Sequence, residues 1–186
     1  LKRCAELLEG STVKASTTIG FPHGGHTTYV KQAEAERAIA EGCEELDMVV
    51  NLSQVLSGEW QYVADEIEAI TNIAHQAGQK IKVIFENCYL EAEHKIELCR
   101  ICGGLGVDWV KTSTGYGTGG ATLCDLKLMR AQSPENVQVK AAGGVRTLDQ
   151  LLEVRAIGVS RVGASATREI LDTCRERLKL PPLNSR

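Results

Sequence analysis

Two lysines stand inside apolar, strand-like runs: Lys111 in VDWVKTSTG (107–115) and Lys140 in VQVKAAGG (137–144). A lysine normally stays at the surface, because burying an ammonium is costly unless it is paired or discharged. Burial lowers a lysine's pKa, so an amine held this way can be free near neutral pH. A free amine in a pocket attacks carbonyls, and the chemistry to expect is Schiff-base catalysis. Alternation places Trp109, Lys111 and Ser113 on one strand face, and Gln138, Lys140 and Ala142 on one face of the other. If the strands are neighbours, about 5 Å apart, both amines project into one interior and their repulsion lowers the pKa of at least one. The bland alternative is a pair of lysines snorkelling outward from edge strands.

Asp47, in the apolar run ELDMVVN (45–51), is a third interior candidate. Beside two lysines it would balance charge and relay a proton to a substrate hydroxyl, or else form a structural ion pair. Glu86, ending VIFENC (83–88), is positioned similarly and would support such a site from behind. Gly143-Gly144 closes one strand, and Gly163-Ala-Ser165 closes the next before a helix. Glycines let backbone N–H groups approach an anion and a helix N-terminus adds partial positive charge, so these turns are a candidate phosphate site that Arg146 could assist.

Other motifs lead elsewhere. GYGTGG (115–120) matches G-x-G-x-x-G, but the acid that a dinucleotide site wants about 20 residues later is replaced by Lys140. Cys99 and Cys102 form a C-x-x-C late in a helical pattern, whereas a redox pair belongs at a helix N-terminus. Adding Cys88 and His94 makes an irregular set for zinc, and His23 and His26 are two loop histidines only, so no metal or other cofactor is expected.

The elements that must position these residues alternate monotonously. Strand patterns fall at 13–21, 44–51, 80–88, 107–115, 137–144 and 159–165. Helical patterns fall at 1–10, 27–42, 59–77, 91–103, 122–132, 147–157 and 167–178. Thr147 is a candidate N-cap, and Gly42, Gly78 and Gly158 sit where helix-ending glycines belong. Repeated βα units mean a parallel sheet, open or closed as a (β/α)8 barrel, which takes about 250 residues. No linker or composition break divides the 186 residues, so one domain is expected over 1–186. Apolar residues make up 43% of the chain and charged residues 24%, ordinary for a globular fold. A net charge of -3 without a basic stretch argues against nucleic acid. No apolar run approaches the ~18 residues of a membrane span, and the first residues carry no signal-peptide pattern. Seven scattered cysteines fit a reducing, cytoplasmic setting.

The segments TIGFP (18–22), ELDMVV (45–50), VKTSTG (110–115), VKAAGGVRT (139–147) and RVGAS (161–165) are collinear along nearly the whole chain. Together they resemble the 2-deoxyribose-5-phosphate aldolase family. The resemblance implies a class I aldolase TIM barrel, N-terminally incomplete here, with about six βα units and the first two absent. It implies Lys111 as the Schiff-base lysine, Lys140 as the second lysine that depresses its pKa, and Asp47 as the acid of the proton relay. It places Gly143, Gly144, Gly163 and Ser165 in the phosphate-binding turns. Substrates would be a phosphorylated sugar and a small aldehyde, without a cofactor, and a homo-oligomer is left open. Asn87 replaces the family's usual threonine, and Ala166 stands where a second serine is common. Two alternatives stay beside this reading: another Schiff-base phosphosugar lyase, and a truncated sugar-phosphate binder.

Overall fold

Apolar residues at every second strand position sort the two faces of one parallel sheet. The computed structural model describes residues 1–183, so residues 184–186 of the expected domain lie outside the described residues. Six strands pair in parallel and in sequence order: β1 (Ser16–Ile19), β2 (Glu45–Val49), β3 (Lys80–Ile84), β4 (Trp109–Lys111), β5 (Gln138–Ala142) and β6 (Arg161–Gly163). β1 and β6 form its two edges. The helices are α1 (Lys2–Leu8), α2 (Thr28–Ala40), α3 (Leu52–Leu56), α4 (Trp60–Gln76), α5 (Ala92–Leu105), α6 (Leu123–Gln132), α7 (Leu148–Ala156) and α8 (Thr167–Arg177). Among the described residues no helix is long and apolar enough to cross a membrane.

Every strand and helix expected from the pattern is present, with strands shorter than their apolar runs. Residues 112–115 and 143–144 leave the ladder and become turns at the sheet's C-terminal end. Thr147 caps α7, accepting from Gln150 N–H, and Gly42, Gly78 and Gly158 follow their helices with φ of +92°, +73° and +100°. The five-residue α3 was not expected. It is too short to show a period, though Asn51 caps it by accepting from Gln54 N–H at 3.4 Å.

Leu46, Met48, Ile81, Val83, Val110, Val139 and Ala141 pack with helix residues such as Ile67, Ile70, Leu98, Leu126 and Met129 into one core. The alternate strand residues, among them Glu45, Asp47, Lys82, Lys111, Lys140 and Arg161, meet on the opposite face. Strands lie about 4.8 Å apart, so β2 and β6 would be ~19 Å apart in a flat sheet. Arg161 on β6 nonetheless pairs with Glu45 on β2, which requires the sheet to curl around this face. The fold is an α/β half-barrel with a charged concave surface and an apolar convex one.

A second buried charge pair fixes the top of β2. Lys31 of α2 and Glu66 of α4 are both fully buried and meet at 2.8 Å. Lys31 also donates to the Val49 carbonyl at 2.8 Å, and Glu66 accepts from Asn51 N–H at 3.1 Å. The pair thus satisfies backbone groups that β2 exposes where it leaves the ladder. Removing one partner strands the other charge in the core, at a typical cost of about 3–5 kcal/mol. Lys31→Met should lower the urea midpoint by that much stability, and an unchanged midpoint would show that the pair is replaceable.

Candidate active site

Parallel register brings the interior charges together. β2 and β3 pair with Asp47 opposite Lys82, and β4 and β5 pair with Lys111 directly opposite Lys140. Asp47 lies between the two pairs. Its Oδ1 accepts from Lys82 Nζ at 2.7 Å, and its Oδ2 accepts from Lys111 Nζ at 2.8 Å and Lys140 Nζ at 3.2 Å. Ser16 Oγ, on β1, donates to Oδ1 at 3.4 Å. Lys82 also binds Glu45 Oε2 at 2.6 Å, and Glu45 accepts from Arg161. The Trp109 ring closes this cluster, with the Arg161 guanidinium 4.5 Å and Lys82 Nζ 5.7 Å from its centroid.

Burial sets the electrostatics. Asp47 is 4% exposed, Lys82 1% and Lys111 8%. Burial alone would raise the Asp47 carboxyl, but the Lys111, Lys82 and Lys140 ammonium groups outweigh it and hold the pKa at about 2. Burial pushes the Lys140 ammonium below the ordinary lysine value. Asp47 opposes that shift and Lys111 reinforces it. Four cations (Lys82, Lys111, Lys140 and Arg161) face two carboxylates (Glu45 and Asp47) in this network. An excess of positive charge favours both release of a lysine proton and approach of an anion.

Above the cluster, at the C-terminal ends of β4, β5 and β6, lies a cavity of about 510 Å³. Lys111 and Lys140 line it together with Gly143, Gly144, Gly163 and Ser165. Asp47 reaches it only through the lysines it binds. Gly143 and Gly144 have φ of +76° and +86°, which turn the chain sharply, and a Cβ on them would lie 3.0 Å from Gly120 Cα and 3.2 Å from the Ala121 carbonyl oxygen, respectively. Arg146 adds an exposed cation at the rim. This arrangement can hold an extended molecule with a carbonyl at the lysines and an anionic group at the glycine turns.

Lys82 was not singled out from the sequence, although it stands in the apolar run IKVIF (81–85) just as Lys111 and Lys140 stand in theirs. The same criterion finds it. The glycine run 115–120 was weighed only as a dinucleotide motif, and it forms one wall of the cavity. The Glu86 carboxylate binds Thr114, through its N–H and its hydroxyl. Cys99 and Cys102 are buried in α5, and burial pushes the Cys99 thiol to about 11 and the Cys102 thiol well above its ordinary value. Among the described residues no group of three or more His, Cys, Asp or Glu side chains could hold a metal ion.

Residues 2–172 match the family described as DeoC/LacD family aldolase. The chain is 70% identical over 183 residues to the deoxyribose-phosphate aldolase of Rhodopirellula baltica, covering 98% of this chain and 76% of that protein. It is 44% identical over 164 residues to the deoxyribose-phosphate aldolase of Thermococcus kodakarensis, covering 88% of this chain and 73% of the relative. Its fold superposes with a TM-score of 0.85 on the tetrameric deoxyribose phosphate aldolase of Aeropyrum pernix, at 29% identity, covering 94% of this chain and 74% of that one.

The three-lysine environment of Asp47 makes acid stability a direct probe of the cluster. The folded carboxyl titrates at about 2, below the ordinary value of 3.8. The stabilisation is therefore fully present above pH ~4 and is lost as pH falls toward ~2. Urea titrations should show wild type losing stability more steeply than Asp47→Asn over that interval. Equal slopes would mean that the carboxylate is not held by the lysines.

Proposed function

The chain belongs to the DeoC/LacD family of aldolases, and we propose that it reversibly cleaves 2-deoxy-D-ribose 5-phosphate to D-glyceraldehyde 3-phosphate and acetaldehyde through an imine on Lys111. The observation that carries the reading is the shared carboxylate: Lys111 and Lys140 both donate to Asp47 Oδ2 at the floor of one cavity. The relatives' names supply the substrate, and the residues supply the chemistry.

The Lys111 amine adds to C1 of the open-chain sugar, and loss of water leaves a protonated imine. A base removes the proton of the C3 hydroxyl. The C2–C3 bond then breaks, C3 becomes the aldehyde of glyceraldehyde 3-phosphate, and the bonding pair moves to the iminium to give an enamine. Protonation at C2 restores an imine of acetaldehyde, and water hydrolyses it to free Lys111. Lys140 is suited to the proton transfers, because its lowered pKa brings its two protonation states closer together near neutral pH. Asp47, ionised throughout, holds the two amines side by side and offsets the positive charge of the iminium. The turns at Gly143-Gly144 and Gly163–Ser165, with Arg146, are suited to the 5-phosphate and would fix C1 over Lys111.

The same reading treats residues 1–186 as one aldolase domain, part of a (β/α)8 barrel. Six strands are three-quarters of eight, and the chain spans 76% of the Rhodopirellula relative. A reducing, cytoplasmic setting is consistent with seven unpaired cysteines, and a homo-oligomer with the tetrameric Aeropyrum relative. Because the iminium is the electron sink, the steps call for no cofactor.

Borohydride reduction in the presence of acetaldehyde, followed by peptide mass mapping, tests the reading. A reduced adduct is expected on Lys111, none in Lys111→Leu, and a weaker one in Lys140→Leu. Turnover of deoxyribose 5-phosphate should fall at least ~100-fold in Lys140→Leu. An adduct on Lys82 or Lys140 instead, or turnover without any adduct, would overturn it.

A further inference from the structure

Glu86 is a buried carboxylate, 2% exposed, that makes no ion pair among the described residues. It also stands in the left-handed region, with φ 57° and ψ 60°, and the one other non-glycine residue there among those described is Lys179 near the chain end. An L side chain in that region is strained, and a buried carboxylate without an ion-pair partner adds a desolvation penalty. Both costs persist only where surrounding contacts impose them.

Those contacts run to one place. Backbone bonds lace the segment to the end of β4: Phe85 N–H donates to Lys111 O, and Asn87 N–H to Thr112 O, each at 2.9 Å. The carboxylate then crosses to the turn that follows. Thr114 N–H donates to Glu86 Oε1 at 3.1 Å, the Thr114 hydroxyl donates to Oε2, and Tyr116 N–H donates to Thr114 Oγ1 at 3.0 Å. Gly117 closes over the carboxyl. A Cβ there would lie 3.1 Å from Glu86 Cδ and 2.7 Å from Cys88 Sγ. The other end of the loop rests on the Gly143-Gly144 turn: Ala121 N–H donates to Ala142 O and Gly143 O at 3.1 Å, and a Cβ on Gly120 would lie 2.6 Å from the Gly143 carbonyl carbon. Thr114, Gly115 and Gly117 to Gly120 all line the cavity.

We propose that Glu86 is a positioning residue for substrate binding. It clamps the Thr114–Gly117 turn, so that the glycine wall is already set against the Gly143-Gly144 turn when the phosphate end of the substrate arrives. The proposal rests on the phosphate reading given above. A neutral side chain would serve a purely structural turn without the desolvation cost. The carboxylate binds both Thr114 donors with charge-assisted bonds, which are stronger and hold the turn more rigidly. The Glu86 carboxylate bonds Thr114, whereas the Lys111 and Lys140 side chains bond Asp47, so loosening it should disturb substrate placement more than imine formation.

The test compares cleavage of deoxyribose 5-phosphate with cleavage of unphosphorylated 2-deoxyribose in wild type and Glu86→Gln. The variant should lose roughly 10- to 100-fold in kcat/KM for the phosphate ester, chiefly through KM, and several-fold less for the free sugar. Inhibition by inorganic phosphate should weaken in parallel, and borohydride capture of acetaldehyde on Lys111 should persist. Gly117→Ala, which presses on the carboxyl from the opposite side, should reproduce the pattern and decides the matter if Glu86→Gln does not fold. A variant that keeps the wild-type preference for the phosphate ester, whether fully active or uniformly weakened, would overturn the role of Glu86 alone. A wild type that shows no such preference would overturn the phosphate reading itself, and the proposal with it.

Discussion

A single carboxylate binding three lysines holds the concave face of this sheet together. Asp47 accepts from Lys82, Lys111 and Lys140, which come from three other strands. Without it, three ammonium groups would repel one another in a space that water reaches poorly. With it, they are drawn toward one point and the sheet is curled from β2 to β5 by side chains as well as by backbone twist. The Glu45–Arg161 pair continues the curl to the β6 edge. The arrangement that makes the site reactive is also the one that shapes the sheet.

Such an interior is tolerable only because the other face carries the burden of folding. Leu46, Met48, Ile81, Val83, Val110, Val139 and Ala141 bury themselves against helices and supply the transfer free energy that drives collapse. Period-two alternation therefore divides the strands residue by residue: Asp47, Lys82, Lys111 and Lys140 face the charged concave surface, and the residues between them, such as Met48, Ile81, Val110 and Val139, face the apolar core. A one-residue slip in register would exchange the two faces, placing lysines in the apolar core. The Lys31–Glu66 pair guards against this at the top of β2 by fixing the backbone at Val49 and Asn51.

Much of this was legible in the sequence. Lysines in strand patterns pointed to Lys111 and Lys140, and the repeated βα units pointed to a parallel sheet, whose sequential strand order the structure supplies. What escaped was of three kinds. Lys82 stands in an apolar strand as the other two do, but Val83-Ile-Phe-Glu-Asn-Cys follows it where a glycine turn follows Lys111 and Lys140. The third lysine on Asp47 and the partner of Glu86 were illegible for a different reason, because they depend on how far the sheet curls and on which atom a loop returns to. Lys82 and Asp47 are 35 residues apart, and Thr114 and Glu86 are 28 apart, so no local period encodes either contact. The segment Leu52–Leu56 was lost to its brevity, since five residues cannot show a helical repeat.

The charge balance of the concave face connects its structure to its chemistry. Four cations on two carboxylates leave the network positive when every lysine is protonated. That excess can be relieved by releasing a lysine proton or by taking up an anion, and the proposed cleavage of a phosphate ester would use both. Deprotonation would supply the amine that forms the imine, and the ester would offset the charge that remains. In the reaction proposed above, the Lys111 nitrogen is positive as the protonated imine and neutral as the enamine, and the Lys82 bond to Asp47 Oδ1 gives the carboxylate a partner outside that cycle. Catalysis can then proceed without the carboxylate having to move, which is what electrostatic preorganisation requires. The strain at Glu86 fits the same logic at the other end of the cavity. Rigidity is built in where the substrate must be oriented, and its cost is offset by the apolar face of the sheet rather than by the site itself.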